Sequence, residues 1–493
     1  MKNINNGAYL SRGSAEESII PLVALCISIA TILLIPLKIL GYGFLPTDDI
    51  MRHVAKAISG RSWNDILILR DGIQLDSHPG FHALLTAVYN ITKLSPDDLV
   101  YFAVTTLFAA FCLFPLFFVK RFEAWLTALL LISLTNFSFI MRLLFGRPYM
   151  VAMTTLVVLC LVWTRLRDDK RPYKTMILVT LLVALSTWIH CSWYLIAFPI
   201  VCFIIAREWR VAIILSVCSI VGIFVGAALT GHPWLFISQN IIHAFLVFNK
   251  HAFTRTLTIE LRPFTGDILT VMAVVFMLSW RRMRGSWEAK RIDNPVFILV
   301  VFSWIMGFFV GRFWFDFGIP ALLVWMAQEF DDVYTRFVSP VSARRIFLTA
   351  AVALTLYANT TNDINDRWSA SPAAEYLFRD FPEKASWMPD PGGIVYSDDL
   401  RVFFVTFFKN PYAPWRYIVG FEPALMPQKD LDVFMDIQIS RGAAQSFGPW
   451  IKKMRPEDRL VITTESNQAP LIGELEWRYM GSGFWFGRLR RAK

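Results

Sequence analysis

The sequence predicts an α-helical polytopic membrane protein with a small α/β domain at its C-terminal end. Three observations predict it. Of 493 residues, 55% are hydrophobic and only 17% charged, where average globular chains carry about 25% charged residues. The apolar residues are gathered into blocks approaching the roughly 20 residues that cross a bilayer. From residue 360 onward, prolines, acids and polar residues return.

Residues 1–17 are polar, and no small-residue cleavage site follows them. Residues 18–41 therefore read as a retained first transmembrane helix with a cytoplasmic N-terminus. Further apolar runs fall near 99–119, 123–140, 149–164, 175–189, 191–206, 210–229, 267–280, 295–311, 316–328 and 346–358, about eleven in all. Basic clusters occur at Lys120–Arg121, between Arg165 and Lys174, at Arg207 and Arg210, between Arg281 and Arg291, and between Arg336 and Arg345. With eleven crossings every cluster lands in the cytoplasm, as the positive-inside rule requires. Residues 18–358 then form the transmembrane domain.

Residues 79–94 are apolar, but they are only 16 in number, and counting them as a span would turn the basic clusters outward. They read as an amphipathic helix on the outer interface. The first outer loop, 42–98, then holds two such helices, one from Asp48 to about Ser59 and one from Pro79 to about Leu94. A second outer loop covers 230–266. Residues 359–493 form the extracytoplasmic domain, where "GGIVYSDDL", "WRYIVGFEP", "DRLVITT" and "LEWRYMGSGFWFGRLRR" read as strands. "QKDLDVFMDIQIS" and "AAQSFGPWIKKM" read as helices between them.

Two classes are excluded early. The six cysteines (Cys26, Cys112, Cys160, Cys191, Cys202, Cys218) all lie in apolar runs without CxxC spacing, so neither a disulfide framework nor a zinc site is indicated. The net charge of +10 lies largely in short loops and reads as a topology signal, not as a nucleic-acid surface.

The chemistry-bearing stretch is "FLPTDDIMRH", residues 44–53. It also fits an ordinary helix start, with Thr47 as N-cap and acids in the first turn complementing the helix dipole. Three features point further. Asp49, Arg52 and His53 share a helix face at i, i+3 and i+4. That face lies at the membrane surface. The same loop supplies Asp76, His78 and His82, the last two at a metal-compatible spacing of four, with His78 at the cap of the helix that Pro79 starts.

A carboxylate facing outward at the bilayer surface suits transfer of a group from a lipid carrier. The acceptor hydroxyl or amine loses a proton as it attacks, so Asp49 or Asp48 can act as general base. A phosphate leaving group needs cations or a metal against its developing charge. Arg142 and Arg147 lie in the outer turn "MRLLFGRPY", and His232, His243, Lys250, His251, Arg255 and Arg262 lie in the second loop beside Glu260. Arg312 ends a helix on that side, close to Asp316. Each arginine taken singly reads as a side chain reaching up to the interface. Their collection on one side, against the positive-inside bias, is the informative pattern.

"TDD" after the first helix, two helices in an acidic first loop, "SHPGFHALL" and the helix ladder behind it resemble the GT-C superfamily of membrane glycosyltransferases, over about residues 15–330. That group includes protein O-mannosyltransferases and the aminoarabinose and galacturonic acid transferases of lipid A. The resemblance implies a polyprenyl-phosphate-linked sugar donor, a glycan, lipid or protein acceptor, and reaction on the outer face of a bacterial inner membrane. It implies a catalytic acid at Asp49 or Asp48, and donor phosphate held by Arg142, Arg147, Arg255, Arg262 and Arg312. Arg52, His53, His78, His82, Glu260 and Asp316 are the supporting set. It also implies a divalent metal, Mg2+ or Mn2+, near Asp48, Asp49 and His78. The sequence departs from the pattern in three places. His78-Pro79-Gly80 replaces a double proline, no acid follows Arg147, and the double-tryptophan-aspartate motif is absent.

A lipid-linked saccharide transporter or flippase is the alternative from another class. Transporters place ionisable residues and broken helices at mid-membrane, and His190, beside a tight turn, is the one such residue these runs suggest. A surface-polysaccharide polymerase or ligase would leave the first-loop acids without a role.

Overall fold

The computed structural model describes residues 6–73, 76–248, 261–264, 266–339, 342–370, 382–464, 466, 468–481 and 483–490. Among the described residues, four helices are long and apolar enough to cross a membrane: Ile19–Leu40, Pro96–Phe117, Met150–Asp168 and Trp209–Ala228. Shorter apolar helices cover Tyr173–Ile189, Ser192–Ile205 and Pro295–Gly307. The chain is thus a multi-pass helical protein with a small C-terminal sheet, although fewer helices meet the length of a full crossing than the eleven apolar runs suggest.

Two runs differ from simple spans. The run at 123–140 is broken into Phe122–Thr135 and Phe137–Leu144, bent by 109°. The physical cause is Asn136, whose side-chain oxygen accepts from the Phe139 amide at 3.0 Å and so starts a second helix, while its Nδ2 donates to Asp267. The run at 316–328 begins as a π-helical turn, Trp314–Gly318, and continues as Ile319–Phe337. Every residue from Ile319 to Ala327 is buried, which makes this the central helix.

The first outer loop forms helices at Asp49–Ser59, Trp63–Ile66 and Pro79–Thr92. The N-cap of the first is Asp48, in extended conformation, rather than Thr47. A carboxylate accepts from the orphan amides of a first turn at least as well as a hydroxyl. Nor is this helix laid open on an interface. Ile50, Met51, Arg52, His53, Val54 and Ala55 are all buried, because the Pro79–Thr92 helix and the C-terminal Leu400–Lys409 helix pack against it.

The C-terminal sheet has the order β2-β1-β3-β5-β4, with β1 Ile394–Ser397, β2 Arg416–Tyr417, β3 Arg459–Thr463, β4 Leu475–Tyr479 and β5 Phe484–Leu489. β1 pairs parallel with β2 and β3, and β5 runs antiparallel between β3 and β4. Parallel neighbours need a crossover. The Leu400–Lys409 helix, unread in the sequence, lies between β1 and β2 in the chain. β2 is the sheet's edge, and the first outer loop covers it. The Ile68 amide donates to Tyr417 O at 2.9 Å, the Arg70 amide to Leu425 O at 2.8 Å, and Arg61 Nη1 to Ala413 O at 2.6 Å. The domain is thereby held directly over the Asp49–Ser59 helix.

Candidate active site

A cavity of about 620 Å³ opens where the first outer loop, the outer helix ends and the C-terminal domain meet. Asp48, Asp49, Arg52, His78, Arg142, Arg147, His190, His243, Arg262 and Arg312 all line it, so ten of the ionisable residues singled out in the sequence converge there. Arg255 and Glu260 lie outside the described residues.

Asp48 and Asp49 each face a guanidinium. Arg147 binds Asp48 with Nη2 at 2.7 Å from Oδ2 and Nε at 3.1 Å from Oδ1. The turn that delivers it pivots on Gly146 at φ 65°, where a side chain would press on Val104 and Ile50. Arg52 binds Asp49 through Nε at 2.9 Å, engaging Oδ1 alone. Burial would raise the Asp49 carboxyl, but Arg52 and Arg147 outweigh it and hold the group at about 2. Asp49 is therefore ionised at any physiological pH.

A second cluster lies deeper. Asp316, fully buried in the π-helical turn, binds Arg142 Nε at 2.8 Å and Arg312 Nε at 2.7 Å. Single π-helical turns are frequent at functional sites, and this one sets Asp316 between two guanidiniums drawn from separate segments. One carboxylate and two guanidiniums sum to +1. The Arg312 guanidinium also lies 4.6 Å from the Tyr149 ring centre.

His53 and His82 stand behind the cavity wall. Asp76 accepts from His82 Nδ1, and His82 Nε2 lies 2.7 Å from His53 Nδ1. The carboxylate sets the direction of the chain: Nδ1 carries the proton on both rings, leaving a lone pair on His53 Nε2. That atom is buried and has no hydrogen-bond partner among the described residues, as is true of His78 Nδ1. The ring centres of His53 and His78 are 4.7 Å apart, and those of His78 and His190 are 4.9 Å apart. Burial and Arg52 hold both His53 and His78 well below the usual imidazole range. His78 is the N-cap of the Pro79–Thr92 helix, and its own amide donates to Asp76 at 2.9 Å.

Of the residues expected near a metal, Asp48, Asp49 and His78 all line the cavity, with Asp48 bound by Arg147 and Asp49 by Arg52. Among the described residues no three of His, Cys, Asp and Glu are disposed to hold a cation.

The C-terminal domain adds groups that sequence reading missed. Asp398, Asp399, Arg401, Phe421 and Glu422 line the same cavity, with Tyr149 from the helical part beside the already noted His190. His190 signals itself as an ionisable residue beside a tight turn, and Tyr149 stands two residues from Arg147. Glu422 has no such signal in "GFEP".

No protein-family model matches the chain, and no curated protein matches it. Among solved structures, it is similar to the Archaeoglobus fulgidus oligosaccharyltransferase crystallised with a tethered acceptor peptide containing the NVT sequon. The match covers 88% of this chain and 68% of that one, at 11% identity and a TM-score of 0.48.

Proposed function

We propose that the protein is an integral membrane glycosyltransferase that moves a sugar from a polyprenyl-phosphate carrier to an acceptor hydroxyl or amine on the outer face of a bacterial inner membrane. One observation carries the reading: the acidic pair of the first outer loop and arginines from three later segments face one cavity. In this reading the chain crosses the membrane about eleven times, and residues 359–493 close the site from outside.

The chemistry follows from the charges. A phosphate leaving group takes on charge as the glycosidic bond breaks, and fixed guanidiniums in a partly dry cavity stabilise it without reorganising. Arg142, Arg147, Arg262 and Arg312 take that role, with Arg255 from the same loop as Arg262. Asp49, ionised and engaged by Arg52 on one oxygen, accepts a hydrogen bond from the attacking group and stabilises positive charge at the anomeric carbon. Asp48 caps the helix that carries Asp49 and fixes its position through Arg147.

The test is release of polyprenyl phosphate by purified full-length protein from a panel of undecaprenyl-phosphate hexoses and pentoses, wild type against Asp49→Asn. Release by the wild type, lost in the variant while donor binding is kept, is the expected result. Equal release from both proteins removes Asp49 from the chemistry. Donor binding without release by either protein favours a transporter.

A further inference from the structure

Among the described residues, three of the cavity's five carboxylates are ion-paired, while Asp398 and Glu422 are held by backbone amides alone; the charge acting on Asp398 is its neighbour Asp399, whereas Asp49, Arg312 and Arg52 act on Glu422 and place it beside the first-loop acid. Asp48 and Asp49 bind Arg147 and Arg52, and Asp399 binds Arg401 at 2.7 Å. Asp398 accepts from the Thr463 amide at 3.0 Å. Glu422 has no ion-pair partner among the described residues, and it accepts a hydrogen bond from the Ala424 amide. Its position is nevertheless fixed from both sides. Phe421 lies 4.0 Å from the Arg52 guanidinium and 5.0 Å from the Trp63 ring, and Arg70 holds Leu425 O and Met426 O at 2.8 and 3.2 Å. A rigidly held carboxylate that faces a cavity and is not locked in an ion pair is what a proton acceptor requires.

We propose that Glu422, contributed by the C-terminal domain, is the general base of the transfer. The proposal rests on the glycosyl-transfer reading of the site. The acceptor oxygen or nitrogen forms a bond to the anomeric carbon as the bond from that carbon to the donor phosphate oxygen breaks. The phosphate leaves with the bonding pair, and the acceptor's proton passes to the Glu422 carboxylate. Asp49 holds the acceptor by a hydrogen bond and remains ionised.

The electrostatics support this division. The charged and titratable groups facing Glu422 are Asp49 and Arg52 from the first-loop helix, Arg312 from the turn before the central helix, and Tyr194 from the turn after His190. Burial pushes Glu422 up to about 7, with Asp49 adding to the rise and the Ala424 amide, Arg312 and Arg52 opposing it. A base is most effective when its pKa lies near the working pH. Two guanidiniums make Asp49 a weak base by comparison.

The experiment is the pH dependence of polyprenyl phosphate release from undecaprenyl-phosphate sugars, with water as acceptor, for wild type, Glu422→Gln and Glu422→Asp. The wild-type kcat is expected to fall about tenfold per pH unit below pH 7. Glu422→Gln should lower kcat about 10²–10⁴-fold with donor binding intact and should lose that acid limb. Glu422→Asp should keep part of the rate with the limb shifted. Wild-type kcat and an unchanged limb in Glu422→Gln overturn the role of Glu422 and leave the glycosyl-transfer reading standing. No release by wild type from any donor overturns that reading itself. If Glu422→Gln does not fold, the wild type decides, because a flat profile between pH 5.5 and 8 is incompatible with this base.

Discussion

Arg147 grips Asp48 through two parallel hydrogen bonds, at 2.7 and 3.1 Å, across 99 residues of chain. The contact joins the outer turn after a broken helix to the N-cap of the helix that bears Asp49. One fork-shaped pair thus registers the arginine-bearing outer turn against the acidic loop.

Lysine at position 147 would keep the charge and lose the fork, because an ammonium cannot make both bonds in one plane. Arg147→Lys is therefore expected to lower both the melting temperature and polyprenyl phosphate release. A double-mutant cycle with Asp48→Asn should show a coupling of about 0.5–3 kcal/mol. Additive effects of the two substitutions would mean that the pair does not act as a unit.

His53 is fully buried and His78 and His82 nearly so, and burial holds all three below the usual imidazole value of 6.5. A depressed pKa contributes stability that is present above the unfolded value and is lost as pH falls below it. For His53 and His78, held furthest down, the loss amounts to about 1.4 kcal/mol each per pH unit below 6.5. The melting temperature in detergent should fall between pH 7 and pH 5, and His53→Gln should flatten that fall. Asp76, held down by His82 despite its burial, keeps its contribution throughout this range and loses it only below the ordinary carboxylate value of 3.8. A level melting curve across pH 7 to 5 would contradict the buried-neutral assignment.

Gly80 explains the His-Pro-Gly turn. A Cβ there would lie 2.7 Å from the Trp188 carbonyl oxygen and closer still to the Trp188 ring. The Pro79–Thr92 helix can approach the Tyr173–Ile189 helix only because that Cβ is missing. Gly80→Ala is expected to destabilise the protein by about 1–3 kcal/mol and to displace His78 and His82. Thermal melting together with histidine ¹⁵N spectra would check both effects, and an unchanged melting temperature would show that the two helices can part at no cost.

Much of the helical part was legible because lipid and core make the same demand on a helix, a long apolar run, and such runs stand out in a sequence. The five strands were legible from β-branched and aromatic clustering between turns. The Leu400–Lys409 helix was not, because "LRVFFVTFFK" is apolar enough to pass for a buried strand, and only its place between parallel strands decides the matter. The break at Asn136 was also hidden. Asparagine starts a helix only if its side chain turns back on the backbone, and its amide here is drawn to Asp267, 131 residues further on.

The sequence by itself determined that Asp48, Asp49 and Arg52 would sit together at the mouth of a membrane helix, because their spacing on one helical turn is local. It also assigned Arg142, Arg147, Arg262 and Arg312 to one side of the membrane, because charge bias along the chain orients each crossing. The tertiary structure alone decided which arginine meets which acid, that Asp316 lies between two of them, and that Glu422 reaches the cavity from a domain about 370 residues away in sequence. These are contacts between distant segments. They depend on how helices of similar apolar composition pack against one another and on where a sheet edge finds its last partner, and no periodicity along the chain records either.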